Sequence, residues 1–242
     1  MTGEPVSDSP LPLVGGAARE YVVAADTPVG AFDAPLWQRS RALRALTAEA
    51  DSFSRLGAGL LAWLVGVGAT ACLGAAFWHG APAVVRVPAA VGAVLLAYAA
   101  ARIGRTTWLS GRAVVDAYSW WTLLPERVPG GGAGVEDWRA RPVRDAVQAR
   151  VWVFQGWRPL RIGLAALAFL SPFAFLALGV EGGPRYQPTW DEGQGTTVLV
   201  VTLGLLVTGW VAGATVLWGQ FRMSRAHAER DPIQRWILRR DR

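Results

Sequence analysis

The run LGAGLLAWLVGVGATACLGAAFW, from Leu56 to Trp78, holds 23 residues and no charge. At about 1.5 Å of rise per residue a helix of that length reaches about 34 Å, against a bilayer hydrocarbon core of about 30 Å. Lipid offers a backbone amide no partner, so such a run must be helical and must cross. A second run, Pro82 to Ile103, carries only Arg86 before Arg102. Only His79-Gly80-Ala81 separates the two, which predicts an antiparallel transmembrane hairpin over 56–103. The pattern returns in Leu160 to Val180 and Thr196 to Trp218, joined by the Gly- and Pro-bearing stretch 181–195, for a second hairpin over 160–218. Pro172, behind Ser171, should kink the third span because it removes a helical donor. The expected fold is therefore all-α: a polytopic membrane protein with four spans in two hairpins, flanked by cytoplasmic amphipathic helices.

The flanks are less regular. Residues 1–31 are rich in Pro, Gly, Ser and Asp without a period, the mark of a disordered tail. Within 32–55, Asp33 and Pro35 resemble an N-cap and first-turn proline. Leu36, Leu43, Leu46, Ala50 and Phe53 then share one side of a helix, with Arg41, Arg44 and Arg55 opposite and Arg39 breaking the apolar stripe. Two readings stay open: a helix lying on an anionic membrane surface, or one packed on the protein's own segments. The segment 104–159 is too polar to span and is divided by a Gly/Pro hinge at 125–134. In its first half Trp108, Tyr118, Trp120 and Trp121 show no clean period. In its second half Val143, Val147, Val151 and Phe154 line one helical face, with Arg150 in its middle. Residues 219–242 form a basic tail whose helix should stop at Asp231-Pro232.

Charge sets the orientation. All 24 basic residues are arginine, and net charge is +6. A nucleic-acid partner is not expected, because the arginines flank apolar runs instead of clustering on one soluble face among stacking aromatics. Outside the spans, nineteen lie in 36–55, 104–159 and 219–242, against Arg185 alone in the two short connections. Under the positive-inside rule both termini and the central segment are cytoplasmic in a plasma membrane. Arg-only, Ala- and Gly-rich usage also points to a GC-rich bacterial genome, which is a compositional association.

Chemistry is hard to find. The single cysteine, Cys72, lies within a span, so neither a disulfide nor a thiolate metal site forms within one chain. His79 and His227 fall on opposite sides of the membrane under this orientation, and no GxGxxG, Walker A, GxSxG or HExxH motif occurs. No catalytic, cofactor or metal residues are expected, and no enzyme.

The candidates that remain are intramembrane. Arg86 is either a functional charge or one that snorkels to the outer interface. Pro88 and Pro172 are either gating hinges or stabilised kinks. Small residues recur at Ala62, Gly66, Thr70 and Gly74, at Ala89, Ala93, Ala97 and Ala101, and at Gly209 and Gly213 with Gly204 and Thr208 nearby. Such stripes let helix backbones approach in lipid, within this chain or between chains. The leading expectation is an accessory, anchoring or assembly subunit whose partners are the anionic inner leaflet of the bilayer and a protein or second copy. A small homo-oligomeric pore or transporter component is the alternative, and a lipid-modifying enzyme ranks last.

Overall fold

The computed structural model describes residues 11, 13–24, 26–28, 38–78, 80–127, 156–180 and 192–228. Of these, 87% are helical and none lies in a strand. The elements are α1 (Gly16–Arg19), α2 (Arg39–Ala50), α3 (Phe53–Ala76), α4 (Ala83–Arg127), α5 (Arg158–Val180) and α6 (Glu192–Ala228). Four helical stretches are long and apolar enough to cross a membrane, within α3, α4, α5 and α6. The Asp33/Pro35 helix start, most of the 125–134 hinge, the 143–154 helix, the 181–191 connection, the Asp231-Pro232 stop and His79 lie outside the described residues.

Hydropathy marks where lipid ends, not where a helix ends. The second apolar run stops at Ile103, yet α4 continues without interruption for 45 residues, about 67 Å of rise. Nothing between Gly104 and Leu124 breaks it, since arginine, serine, threonine and tryptophan all tolerate helix and the next proline is Pro125. The start of α4 is also explicable. Gly80 takes φ +85, the left-handed region open to glycine, and the Pro82 carbonyl accepts the first bonds from Val85 N and Arg86 N at 2.9 and 3.1 Å. Between α2 and α3 the chain turns at Asp51-Ser52, where Asp51 N donates to Thr47 O at 2.9 Å. The helix expected over 32–55 is thus two helices.

The chain divides into two compact units. The apolar unit comprises Leu56–Thr107 and Leu160–Leu217. Its surface is inside out by the standard of a water-soluble protein. In the most apolar stretch of α4 only 6% of residues are buried, and Val84, Val94 and Leu95 are 76, 68 and 63% exposed. Water would not tolerate so continuous an apolar surface, whereas hydrocarbon would.

The polar unit comprises Met1–Arg55, Trp108–Pro159 and Trp218–Arg242. It has a conventional core, in which Trp120, Trp121 and Leu124 of α4 are fully buried against Ala42 and Leu46 of α2 and Met223 of α6. Residues 13–24 correct the expectation of a disordered tail over 1–31. Val14, Ala18 and Val23 are 2–4% exposed in this core, with Tyr21 and Val22 packed against it. A segment poor in period still orders when large aromatic surfaces need covering. The apolar side of α2, at Ala42, Leu46 and Ala50, likewise faces the unit's own core, while Phe53 of the expected stripe is exposed.

Candidate functional site

In the polar unit a proline sets the arrangement. Pro125 has no N–H, so the Trp121 carbonyl four residues back loses its helical donor. Arg39 supplies the replacement. Its Nε donates to Trp121 O at 2.9 Å and its Nη2 to Thr122 O at 3.1 Å, placing a cation at the C-terminal end of α4 where the helix dipole favours one. The residue that interrupts the apolar stripe of α2 is what docks α2 on α4. On the same turn the Trp120 and Trp121 indoles, in edge contact at 5.2 Å, donate to Thr27 O and Tyr21 O, each at 2.9 Å. Glu49 fastens the same segment at its other end. One carboxylate oxygen accepts from Gly15 N at 3.1 Å and the other from Arg55 at 3.0 Å.

Two further carboxylates are taken up by guanidiniums. Arg158, 1% exposed at the start of α5, meets both oxygens of Asp51 at 3.3 and 3.1 Å. Asp116 is shared by Arg112 at 3.5 Å and Arg222 at 3.0 Å. Arg222 also lies over the Trp218 ring, which itself sits 4.7 Å from Trp108. These ion pairs tie segments of the polar unit together.

In the apolar unit the predicted packing residues are found as follows. Gly66, Thr70 and Gly74 of α3 are buried, as are Gly209 and Gly213 of α6. Ala93 of α4 is 5% exposed, while Ala97 is exposed. Between α3 and α6 the contacts are reciprocal. The place of a Cβ on Gly66 is 3.1 Å from Thr208 Cγ2, and that on Gly204 is 2.7 Å from Thr70 Oγ1. Each threonine bonds back to the glycine one turn earlier on its own helix, Thr70 to Gly66 O at 3.0 Å and Thr208 to Gly204 O at 2.9 Å. Two Gly-x-x-x-Thr steps therefore interlock, threonine methyl on glycine, with both hydroxyls satisfied in place. On α4 the contacts with α3 fall one position off the expected alanine stripe, at Gly92, Leu96 and Ala100.

Pro172 is buried inside α5, which remains one helix across it. It frees the Ala168 carbonyl, and Ser171 Oγ donates to that oxygen at 2.8 Å. Gly209 of α6 lies against the same carbonyl so closely that a Cβ there would collide with its oxygen. Phe169 and Trp210 stack beside the contact, 5.2 Å apart and 6° from parallel. Pro172 is thus part of a helix seat. Arg86 is exposed and donates to Trp78 O at 3.2 Å, bridging the turn before α4. Pro88 is exposed in the second turn of α4.

The sequence pattern does not single out Asp51, Asp116, Arg158 or Arg222 as clamp residues; only Arg112 and Asp116, four residues apart on one helix, carry a local signal. The signal for Arg39 was present, in a stripe-breaking arginine and in Pro125 four residues beyond Trp121. The pairing of Asp51 with Arg158 joins positions 107 apart and leaves no local trace. Among the described residues no three His, Cys, Asp or Glu side chains are grouped to hold a metal ion.

The all-α architecture and four apolar helices mark a multi-pass membrane protein. The chain matches no family model, no curated protein and no solved structure.

Proposed function

We propose that the chain is a non-enzymatic four-pass protein of the plasma membrane that anchors or assembles a partner, with both termini and the polar unit in the cytoplasm. The observation that carries the reading is the segregation of charge along the helices. The described clamps at Glu49, Asp51 and Asp116 belong to the polar unit, and among the described residues of the turn between α3 and α4 there is no charged side chain. Contact pairs that run in opposite senses along the chain, 66 with 100 and 72 with 92, then 165 with 213 and 168 with 209, support two antiparallel hairpins. The polar unit has a buried tryptophan core, and arginines such as Arg41, Arg44 and Arg112 on its surface suit acidic protein surfaces and anionic headgroups.

The Gly66/Thr208 and Ala168/Gly209 contacts use these small residues within one chain, which supports the anchoring reading over a small homo-oligomeric pore assembled through the same stripes. Co-purification after crosslinking in mild detergent tests it. The expected result is a second polypeptide in stoichiometric yield; a monomer alone overturns the assembly role. Proteoliposomes should remain tight to ions.

A further inference from the structure

One face of α4 changes chemistry along its length. At 100° per residue Val91, Val94, Leu95, Tyr98, Arg102 and Arg105 lie within about 60° of one another's mean direction, and all six are exposed. At the apolar end Ala90, Val91, Val94 and Leu95, all on α4, border a shallow groove open to the surroundings. At the other end are two arginines three residues apart. Among the described residues neither has an ion-pair partner, whereas Arg55, Arg112, Arg158 and Arg222 are paired with carboxylates and Arg44 and Arg86 donate to backbone carbonyls.

The spacing fits one leaflet. From Val91 to Arg102 is eleven residues, about 16 Å of rise, and half of the hydrocarbon core is about 15 Å. Tyr98 falls one turn before Arg102, the depth at which an amphipathic ring is favoured. Guanidiniums offer forked donors that match a phosphate diester.

We propose that this face of α4 holds an anionic phospholipid, its phosphate between Arg102 and Arg105 and one acyl chain in the groove at Ala90, Val91, Val94 and Leu95. The site rests on the membrane topology proposed above and names the lipid class that topology brings to it.

The test uses the full chain purified with an equimolar mixture of phosphatidylglycerol and phosphatidylcholine carrying identical acyl chains, with retained lipid counted by native mass spectrometry. The wild type should retain phosphatidylglycerol preferentially. Each arginine near an anionic surface contributes about a fivefold preference, so R102Q/R105Q should lower the ratio at least fivefold. R102K/R105K should keep most of it, which separates lost charge from lost folding. V91W, which fills the groove, should shorten retention of both lipids. R86Q removes a single exposed arginine whose guanidinium already donates to Trp78 O, and should lower the ratio less than R102Q/R105Q does. An unchanged ratio in R102Q/R105Q, or an equal loss in R86Q, overturns the site. Alkaline extraction of wild-type vesicles is the separate control: release of the chain would defeat the topology, while retention with an unchanged ratio would defeat the lipid site alone.

Discussion

The two units solve the same packing problem with opposite residues. The polar unit has a core of large side chains, with Trp120, Trp121, Tyr118 and Leu46 fully buried, although Phe53, Trp157 and Phe221 of the same unit are exposed. In the apolar unit the large side chains point outward, and what meets between helices is Gly66 with Thr208, Gly204 with Thr70, and Gly209 with a peptide carbonyl. The difference follows from the surroundings each unit is proposed to have. Water drives apolar bulk inward. Hydrocarbon does not, so helices associate there through close backbone approach and van der Waals contact. The large-inside rule is therefore a property of solvent and does not belong to helices as such.

Truncating Trp121 to alanine is the largest expected blow, about 4 kcal/mol, since it empties a fully buried site and leaves the Tyr21 carbonyl without its donor. Unfolding of the purified protein followed by tryptophan emission reads it. Asp51→Ala comes next at about 3 kcal/mol, because it strips the carboxylate from a guanidinium that is 1% exposed. Gly209→Val should cost about 2 to 3 kcal/mol in the apolar unit by forcing α6 off the Ala168 carbonyl. Val94→Ala, a loss of apolar bulk at a 68% exposed site, should stay within about 0.5 kcal/mol. The comparison breaks if Val94→Ala rivals Trp121→Ala, and sharpens if enlarging Gly209 hurts more than shrinking Val94.

The membrane helices were legible in sequence because lipid imposes a single requirement on the backbone, and runs such as 56–78 record it directly. Gly66, Thr70, Gly209 and Gly213 stand out in sequence as small residues at helical spacing, and each is buried. The polar unit was not legible in this way. Its α4 portion has no period to read, because Trp120, Trp121 and Thr122 are consecutive and all buried, enclosed by α2, α6 and residues 13–24 around the whole helix. Enclosure of that kind is set by segments distant in sequence, as in Trp121 with Tyr21 and Arg158 with Asp51. Arg39 shows how an apparent flaw in a stripe records a partner that only the folded chain supplies.

Single-cysteine mapping in a Cys72→Ser background tests the four-crossing account most directly. A membrane-impermeant maleimide should label Ala83→Cys, at the exposed start of α4, in intact cells. Ser40→Cys and Arg112→Cys, both at exposed positions of the polar unit, should react only after permeabilisation. Labelling of Ala83→Cys and Arg112→Cys from the same side would contradict the account, because α4 would then not cross the bilayer between them.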